Sequence, residues 1–318
     1  MDKRNLLDYN FSDLYIDTNH NFFITDENYV NSLKKVIPED REEFYNALTS
    51  IPHQESSYSV CYKGIFFRCE HIVSLGGPMY CLRRQPVEVP SIYNLGFDYR
   101  FVQYMLSLSS LSGLIIWAGS TGSGKTTAIS ALLAEYLKLE GGFAYTIEDP
   151  AEMPLEKEYS AFNGSIGVCK QTEVIDDNWG APLKSALRSH PRYILIGEIR
   201  TPEAAQQCLR AAISGHLVLT TIHANSITDA FTSLVKYAAY NMSEASAYDI
   251  LSRGILGIVK QDLVGIAPNR HPALETLFAN PDPNKGCQVR SIIRSTKLNL
   301  GTAIESQAIK LAQGISLF

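Results

Sequence analysis

From residue 113 onwards the chain carries four runs in which apolar residues follow one another with little alternation: GLIIWA, GFAYTIE, YILIGE and HLVLTTIH, separated by stretches of helical spacing. A strand covered on both faces needs apolar residues on both of its sides, so these runs predict a parallel sheet with helices above and below. The chain before residue 86 has a different texture. DLYI, FFIT, YSVCYKGIFFRCEHIVS and MYCLRR are rich in aromatic and β-branched residues, with KG and GG at turns. They predict short strands of an antiparallel sheet in a small α+β domain, interrupted by one helix from roughly Asp26 to Ser50. Between the two parts, PVEVPSIYNLGFD holds two prolines and a glycine and no sustained period, which marks a linker. The expected organisation is an N-terminal α+β domain over residues 1–88, a linker over 89–98 and an α/β domain over 99–318.

Composition narrows the class of protein. At 318 residues two domains are the ordinary outcome, and 45% hydrophobic residues suffices for sizeable cores. A net charge of -5 without a long lysine or arginine run gives no electrostatic support for a nucleic-acid partner. The opening MDKRNLLDYNFSDLY lacks the apolar core of a secretion signal, and no apolar stretch approaches a membrane span. The chain is therefore expected in the cytoplasm, without direct membrane insertion. Cys61, Cys69, Cys81, Cys169, Cys208 and Cys287 form no CxxC pair and have no histidine at zinc spacing, so they are expected to be reduced and mostly buried. The chain has no internal repeat or low-complexity segment.

Candidate chemistry follows the first apolar run directly. GSTGSGKT, Gly119 to Thr126, is a complete GxxxxGK[ST] loop between that run and the helical segment AISALLAEYL. Strand, glycine loop and helix in this order aim backbone N–H groups and a helix N-terminus at one point, which suits the phosphates of a nucleotide. Gly119, Ser120, Thr121, Gly122, Ser123 and Gly124 supply the backbone, Lys125 reaches the terminal phosphates, Thr126 offers the hydroxyl that ligates Mg2+, and Thr127 follows it. A chance match in a Gly/Ser-rich turn is the plain alternative, which the flanking strand and helix disfavour. ATP or GTP with Mg2+ is the expected ligand.

Three later strands end in residues that can join this loop. TIEDPAE, Thr146 to Glu152, stops at acids and a proline, and ligands of open α/β sheets bind at such carboxyl ends. Glu148 and Asp149 would lie near the phosphates and orient an attacking water, or else form a solvated turn with a helix cap. YILIGEIR, Tyr193 to Arg200, reads as a Walker B strand whose Glu198 supports the metal, the alternative being an ordinary surface acid. SGHLVLTTIHANS brackets a strand with His216 and His223. Lone histidines are commonly structural, and His223, at the carboxyl end, is the better placed to sense the γ-phosphate. The paired arginines of QVRSIIR, Gln288 to Arg294, could be no more than a solvated helix face.

In order and wording, GSTGSGKTT, TIEDPAE, LKSALRSHPRYILIGEIR and AAISGHLVLTTIHAN resemble the Walker A, Asp box, Walker B and His box of the secretion ATPase superfamily, which drives type II secretion, type IV pili and type IV secretion. More weakly, FSDLYI is similar to the SDLH-type start of PilT-like retraction ATPases, and GIFFRCEHIVSLGGPMYCLRRQP looks like their last strand pair before the linker. The resemblance implies a PAS-like N-terminal domain joined to a RecA-like ATPase domain, assembled as a homo-hexamer. Such a ring would work at the cytoplasmic face of the inner membrane on a pilus or secretion platform protein. Carried over by motif, Lys125 and Thr126 hold the phosphates and Mg2+, Glu148 is the general base, Glu198 supports the metal, and His223 links nucleotide state to conformation. Arg68 and Arg83 stand where the family's N-terminal arginines approach a nucleotide, and Arg200 follows the Walker B acid as it does in relatives.

Departures from the pattern bear on which branch is meant. Thr201 stands where the family string GEIRD has its acid, and SHPR, Ser189 to Arg192, where an acidic EDPD-like string is common. Tyr15 replaces the histidine of the SDLH start, and Ser291 and Ser295 replace the Asn and Glu of the retraction motors' AIRNLIRE string. The four-cysteine zinc insert and long N-terminal extension of many assembly and type II motors are missing. The chain stops at GISLF, about where the family's last helix would begin, which fits a compact member or a shortened one. The implied function is a hexameric motor ATPase for type IV pilus retraction or a related secretion step. Its rivals are a type IVB secretion or conjugation ATPase, a regulatory subunit that binds ATP with negligible hydrolysis, and a nucleic-acid translocase.

Overall fold

Alternation builds the first unit, Met1–Glu88 with Glu152–Pro154. Its elements are β1 (Asp13–Ile16), β2 (Phe22–Thr25), β3 (Leu33–Val36), α1 (Arg41–Thr49), β4 (Ser57–Tyr62), β5 (Ile65–Ser74) and β6 (Gly77–Arg84). The computed structural model describes residues 4–25, 32–50, 57–174, 178–265, 270–282 and 285–318. All strand pairings in this unit are antiparallel, in the order β3-β2-β1-β6-β5-β4. Every second residue (Leu14, Ile16, Phe22, Ile24, Phe67, Cys69, Tyr80, Leu82) turns to one core, as the period of a strand requires. Phe44 of α1 fills that core edge-on, 4.9 Å from the Tyr62 ring and 5.4 Å from Phe67.

The helix expected from Asp26 to Ser50 is not one element. Residues 26–31 lie outside the described residues, Leu33–Val36 is strand β3, and only Arg41–Thr49 is helical. Two long-range effects account for the difference. The segment LKKV pairs with β2, Phe22 opposite Val36, and the carboxylate of Asp40 marks where the helix begins. That buried group accepts from the Leu6 N–H, the Tyr62 hydroxyl and Lys63 Nζ at 2.7, 2.9 and 3.0 Å. Burial alone would raise its pKa; the three donors outweigh burial and hold it below the ordinary value.

The second unit, Val89–Ala151 with Leu155–Phe318, starts with the stretch expected to be a linker. Ile92 is buried there, and Phe97 packs 6.0 Å from the Trp117 ring. Then follow α2 (Tyr99–Ser107), β7 (Gly113–Gly119), α3 (Lys125–Glu140), β8 (Gly142–Glu148), β9 (Glu158–Ser160), β10 (Ile166–Glu173), α4 (Gly180–Arg188), β11 (Tyr193–Ile196), α5 (Pro202–Ala212), β12 (Leu217–His223), α6 (Ile227–Ala238), α7 (Glu244–Gly254), β13 (Ile255–Val264), β14 (His271–Phe278), α8 (Gln288–Arg294) and α9 (Gly301–Gln313). The sheet order is β14-β13-β7-β12-β11-β8-β10-β9. Strands β13 to β10 in that order run parallel, while β14 and β9 close the two edges antiparallel, an addition to the expected all-parallel sheet.

The apolar runs are buried for the reason their texture implies. Along β7, Leu114, Ile116 and Ala118 join the core under α4 to α7, while Ile115 and Trp117 join the core under α2 and α3. Both faces of the central strands are thus withdrawn from water, each fully buried aliphatic side chain contributing about 1.5–3 kcal/mol. Among the described residues no helix is long and apolar enough to cross a membrane. Of the cysteines, which are all free, only Cys69, Cys169 and Cys208 are buried. Cys61 is exposed because it alternates with the inward Val60 and Tyr62 on the edge strand β4.

Candidate functional site

Strands β7, β12, β11 and β8 are neighbours and parallel, and their register brings their carboxyl ends to one edge. His223 pairs with Gly119, and Ile196 pairs with both Thr220 and Ile147. The glycine loop, His223, Glu198 and Glu148 therefore arrive side by side, although up to about a hundred residues of chain separate them. A cleft of about 320 Å3 is lined by Thr121, Glu198, Arg200, His223, Ser233 and Tyr237.

The loop is held from within and from β13. Lys125, the first residue of α3, is buried, and its Nζ donates to the carbonyls of Gly119 and Ser120 at 3.0 and 2.9 Å. Gln261 on β13 donates from Nε2 to the Ser123 carbonyl at 2.6 Å and accepts from the Trp117 indole at 2.7 Å. Gly119 has φ +152, and a Cβ there would stand 2.3 Å from the Gln261 carbonyl oxygen. Only glycine fits that approach. The hydroxyl of Ser123 is buried in the loop and finds no hydrogen-bond partner among the described residues.

On the acid side, Glu148 is buried at the end of β8, its Oε1 accepting from Thr146 Oγ1 at 2.6 Å and from Gln171 Nε2 at 2.9 Å. A Cβ at Gly197 would lie 3.2 Å from the Glu148 Cγ, so the glycine lets the end of β11 pass close to this carboxylate. The hydroxyls of Thr220 and Thr221 donate to the carbonyls of Ile196 and Gly197 at 2.9 and 2.6 Å and fix the same strand end. Arg200 Nε donates to Glu198 Oε2 at 2.5 Å, and its Nη1 lies 3.8 Å from Asp149 Oδ2. Arg200 thus links the ends of β11 and β8. Burial, with Glu148 near, pushes the Cys169 thiol far up, so that it stays protonated beside the site.

Other residues singled out in the sequence lie elsewhere. Arg68 and Arg83 face each other across β5 and β6 in a cleft of the first unit with Asp13, Tyr15 and Glu70, Arg83 Nε 3.5 Å from Asp13. His216 precedes β12 at the opposite, amino end of the strands, and its Nδ1–H donates to the Pro191 carbonyl at 2.7 Å. Arg290 donates to the carbonyls of Ser252 and Arg253, the last turn of α7, and Arg294 lies 3.4 Å from Asp249. Arg290 thus caps a helix C-terminus, where positive charge is favourable, while Arg294 stays exposed and pairs with an acid of the same helix. Thr201, the departure from the acidic family string, caps α5 by accepting from the Ala204 N–H at 3.2 Å.

Thr146, Gln171 and Gln261 were not singled out by sequence reasoning. The site also suits a nucleotide with Mg2+. A buried lysine, a loop too close for a side chain and an orphaned Ser123 hydroxyl match phosphate, and Thr126 and Glu198 carry side-chain oxygens of the kind Mg2+ takes beside phosphate and water. Among the described residues no cluster of three or more His, Cys, Asp or Glu could hold a metal by itself.

A glycine loop on a buried parallel strand, with a histidine and two acids on the next three strand ends, defines an open α/β protein of the strand–phosphate loop–helix class. Comparison with known proteins is more specific. The chain belongs to the type II/IV secretion system protein family, which matches it over residues 52–296. It is 35% identical over 175 residues to the putative type II secretion system protein E of Escherichia coli (strain K12), covering 55% of this chain and 32% of that protein. With the type IV pilus ATPase PilU of Pseudomonas aeruginosa it shares 29% identity over 202 residues, 63% of this chain and 50% of that one. The chain thus spans half the length or less of these curated relatives. The crystal structure of the pilus retraction motor PilT with bound ADP is similar over 98% of this chain and 88% of that chain, with a TM-score of 0.72 and 27% identity.

Proposed function

We propose that this chain is a subunit of a homo-hexameric motor. A RecA-like domain, residues 99–318, hydrolyses ATP with Mg2+, and a PAS-like domain, residues 1–88, joins it through residues 89–98. The motor drives type IV pilus retraction, or a related secretion step, at the cytoplasmic face of the inner membrane through a platform protein, with no nucleic acid involved. The observation that carries this reading is the convergence of Thr121, Glu148, Glu198, Arg200 and His223 on four adjacent strand ends. The likeness to a pilus retraction motor over nearly the whole chain supports retraction first.

In this reading the backbone of 119–124 and Lys125 grip the phosphates, and Thr126 and Glu198 hold Mg2+. When bound, that ion neutralises charge on the β- and γ-phosphate oxygens. Glu148 accepts a proton from the attacking water as its oxygen bonds to the γ-phosphorus. The bond from that phosphorus to the bridging oxygen breaks, and ADP leaves with the electron pair. His223, level with Gly119, senses the γ-phosphate, and Arg200 steadies Glu198. Arg68 and Arg83 approach a nucleotide held at the heterologous contact between subunits, and the stretch Pro86 to Gly96 is the hinge for rigid-body motion between domains.

Mass measured by light scattering alongside ATPase rate tests the ring. Specific activity should climb with protein concentration in step with a six-subunit species, and added DNA or RNA should leave the rate unchanged. Full activity in a monomer contradicts the ring; an assembled ring that binds ATP without turnover makes the chain a regulatory subunit.

A further inference from the structure

Gln171 on β10 reaches both the buried acid and the segment that follows it. Its Cα pairs with Thr146 in the parallel register of β10 and β8, so Gln171 and Thr146 stand side by side, one on each strand. Both donate to the same atom, Glu148 Oε1, at 2.9 and 2.6 Å. The amide has only one possible orientation. Its own Oε1 accepts from the Leu155 and Glu156 N–H groups at 2.8 and 2.9 Å. A backbone N–H can only donate, so the oxygen must face the loop and the NH2 must face Glu148.

We infer that Gln171, helped by Thr146, is a positioning residue for Glu148, fixing the plane of the carboxylate that acts on water; this rests on the reading of Glu148 as the base. Hydrogen bonds to an ionised carboxylate are short and directional. Two of them on one oxygen, at a group only 2% exposed, set its orientation before substrate arrives. Preset orientation matters because a misplacement of about 1 Å costs on the order of 100-fold in rate.

The loop and the base can be separated by one substitution. Gln171→Glu keeps an oxygen for the Leu155 and Glu156 N–H groups but replaces the donor to Glu148 with a second carboxylate. Steady-state ATPase kinetics and thermal melting of the full chain are measured for wild type, Gln171→Glu, Thr146→Val and Glu148→Gln. The expected result is a kcat about 10- to 100-fold lower for Gln171→Glu, with KM for ATP near wild type. Thr146→Val, which keeps the shape of a fully buried side chain, should lower kcat in the same sense. If Gln171→Glu keeps wild-type kcat while Glu148→Gln is inert, or if its loss lies wholly in KM or melting temperature, Gln171 only ties the loop down and the inference is overturned. Wild type as inactive as Glu148→Gln overturns the reading of Glu148 as base, and this inference with it.

Discussion

The residue just before strand β12 and the residue that ends it are both histidines, in opposite circumstances. His223 closes the strand level with Gly119 and lines the cleft. His216 precedes it and gives its ring N–H to the Pro191 carbonyl, in a border where the Gly113 N–H donates to the His216 carbonyl and the Leu217 N–H to the Arg192 carbonyl. At the amino edge the polar groups satisfy each other and the result is a seam. At the carboxyl edge, side chains at and beyond the ends of β7, β11 and β12 surround, with α6, a space large enough for a ligand. Position on the sheet, and not residue type, separates a structural histidine from a candidate sensor.

The largest effect that sharpens this contrast comes from a methyl group at each edge. Gly119→Ala places a Cβ 2.3 Å from a backbone oxygen and should cost about 3 kcal/mol or more of stability, as overpacking does, with loss of ATP binding by calorimetry. Gly215→Ala, in the turn before β12, has φ +92 and nothing within 4 Å of the new atom. It should cost about 1 kcal/mol of backbone strain and leave ATP binding unchanged. Equal loss of binding in both variants would remove the distinction between the edges.

A smaller effect divides the histidines. His223→Ala should lower kcat by about 10-fold or more with little change in melting. His216→Ala leaves the Pro191 carbonyl without its donor and should cost about 1–2 kcal/mol of stability, with kcat intact. Urea denaturation and steady-state kinetics on the same two proteins read both quantities, and the reverse pattern would break the comparison.

Much of the carboxyl edge was legible because its residues sit where apolar runs stop: Gly119, Glu148 and His223 each end a strand that the sequence marks by unbroken hydrophobicity, and Glu198 follows the end of another by two residues. What could not be read is what distant partners decide. Gln171 and Gln261 are uncharged polar residues within strands, with no motif of their own, and their partners Glu148 and Ser123 lie 23 and 138 residues away. The lysine pair of β3 reads as helix because LKKV has no strand signature of its own; only pairing with β2 makes it one. Thr201 illustrates the converse, since a threonine caps α5 through its own hydroxyl and makes a departure from the family string structurally mild.

Every role proposed for the second sheet depends on its carboxyl edge binding ATP and breaking it with Glu148. The most direct test is ATP binding and Mg2+-dependent hydrolysis measured together for wild type, Glu148→Gln and Lys125→Ala. Wild type should turn over; Glu148→Gln should bind ATP as wild type does while kcat falls by about 100- to 10,000-fold; Lys125→Ala should lose binding itself. Undiminished turnover in Glu148→Gln, or wild-type ATP affinity in Lys125→Ala, would contradict it.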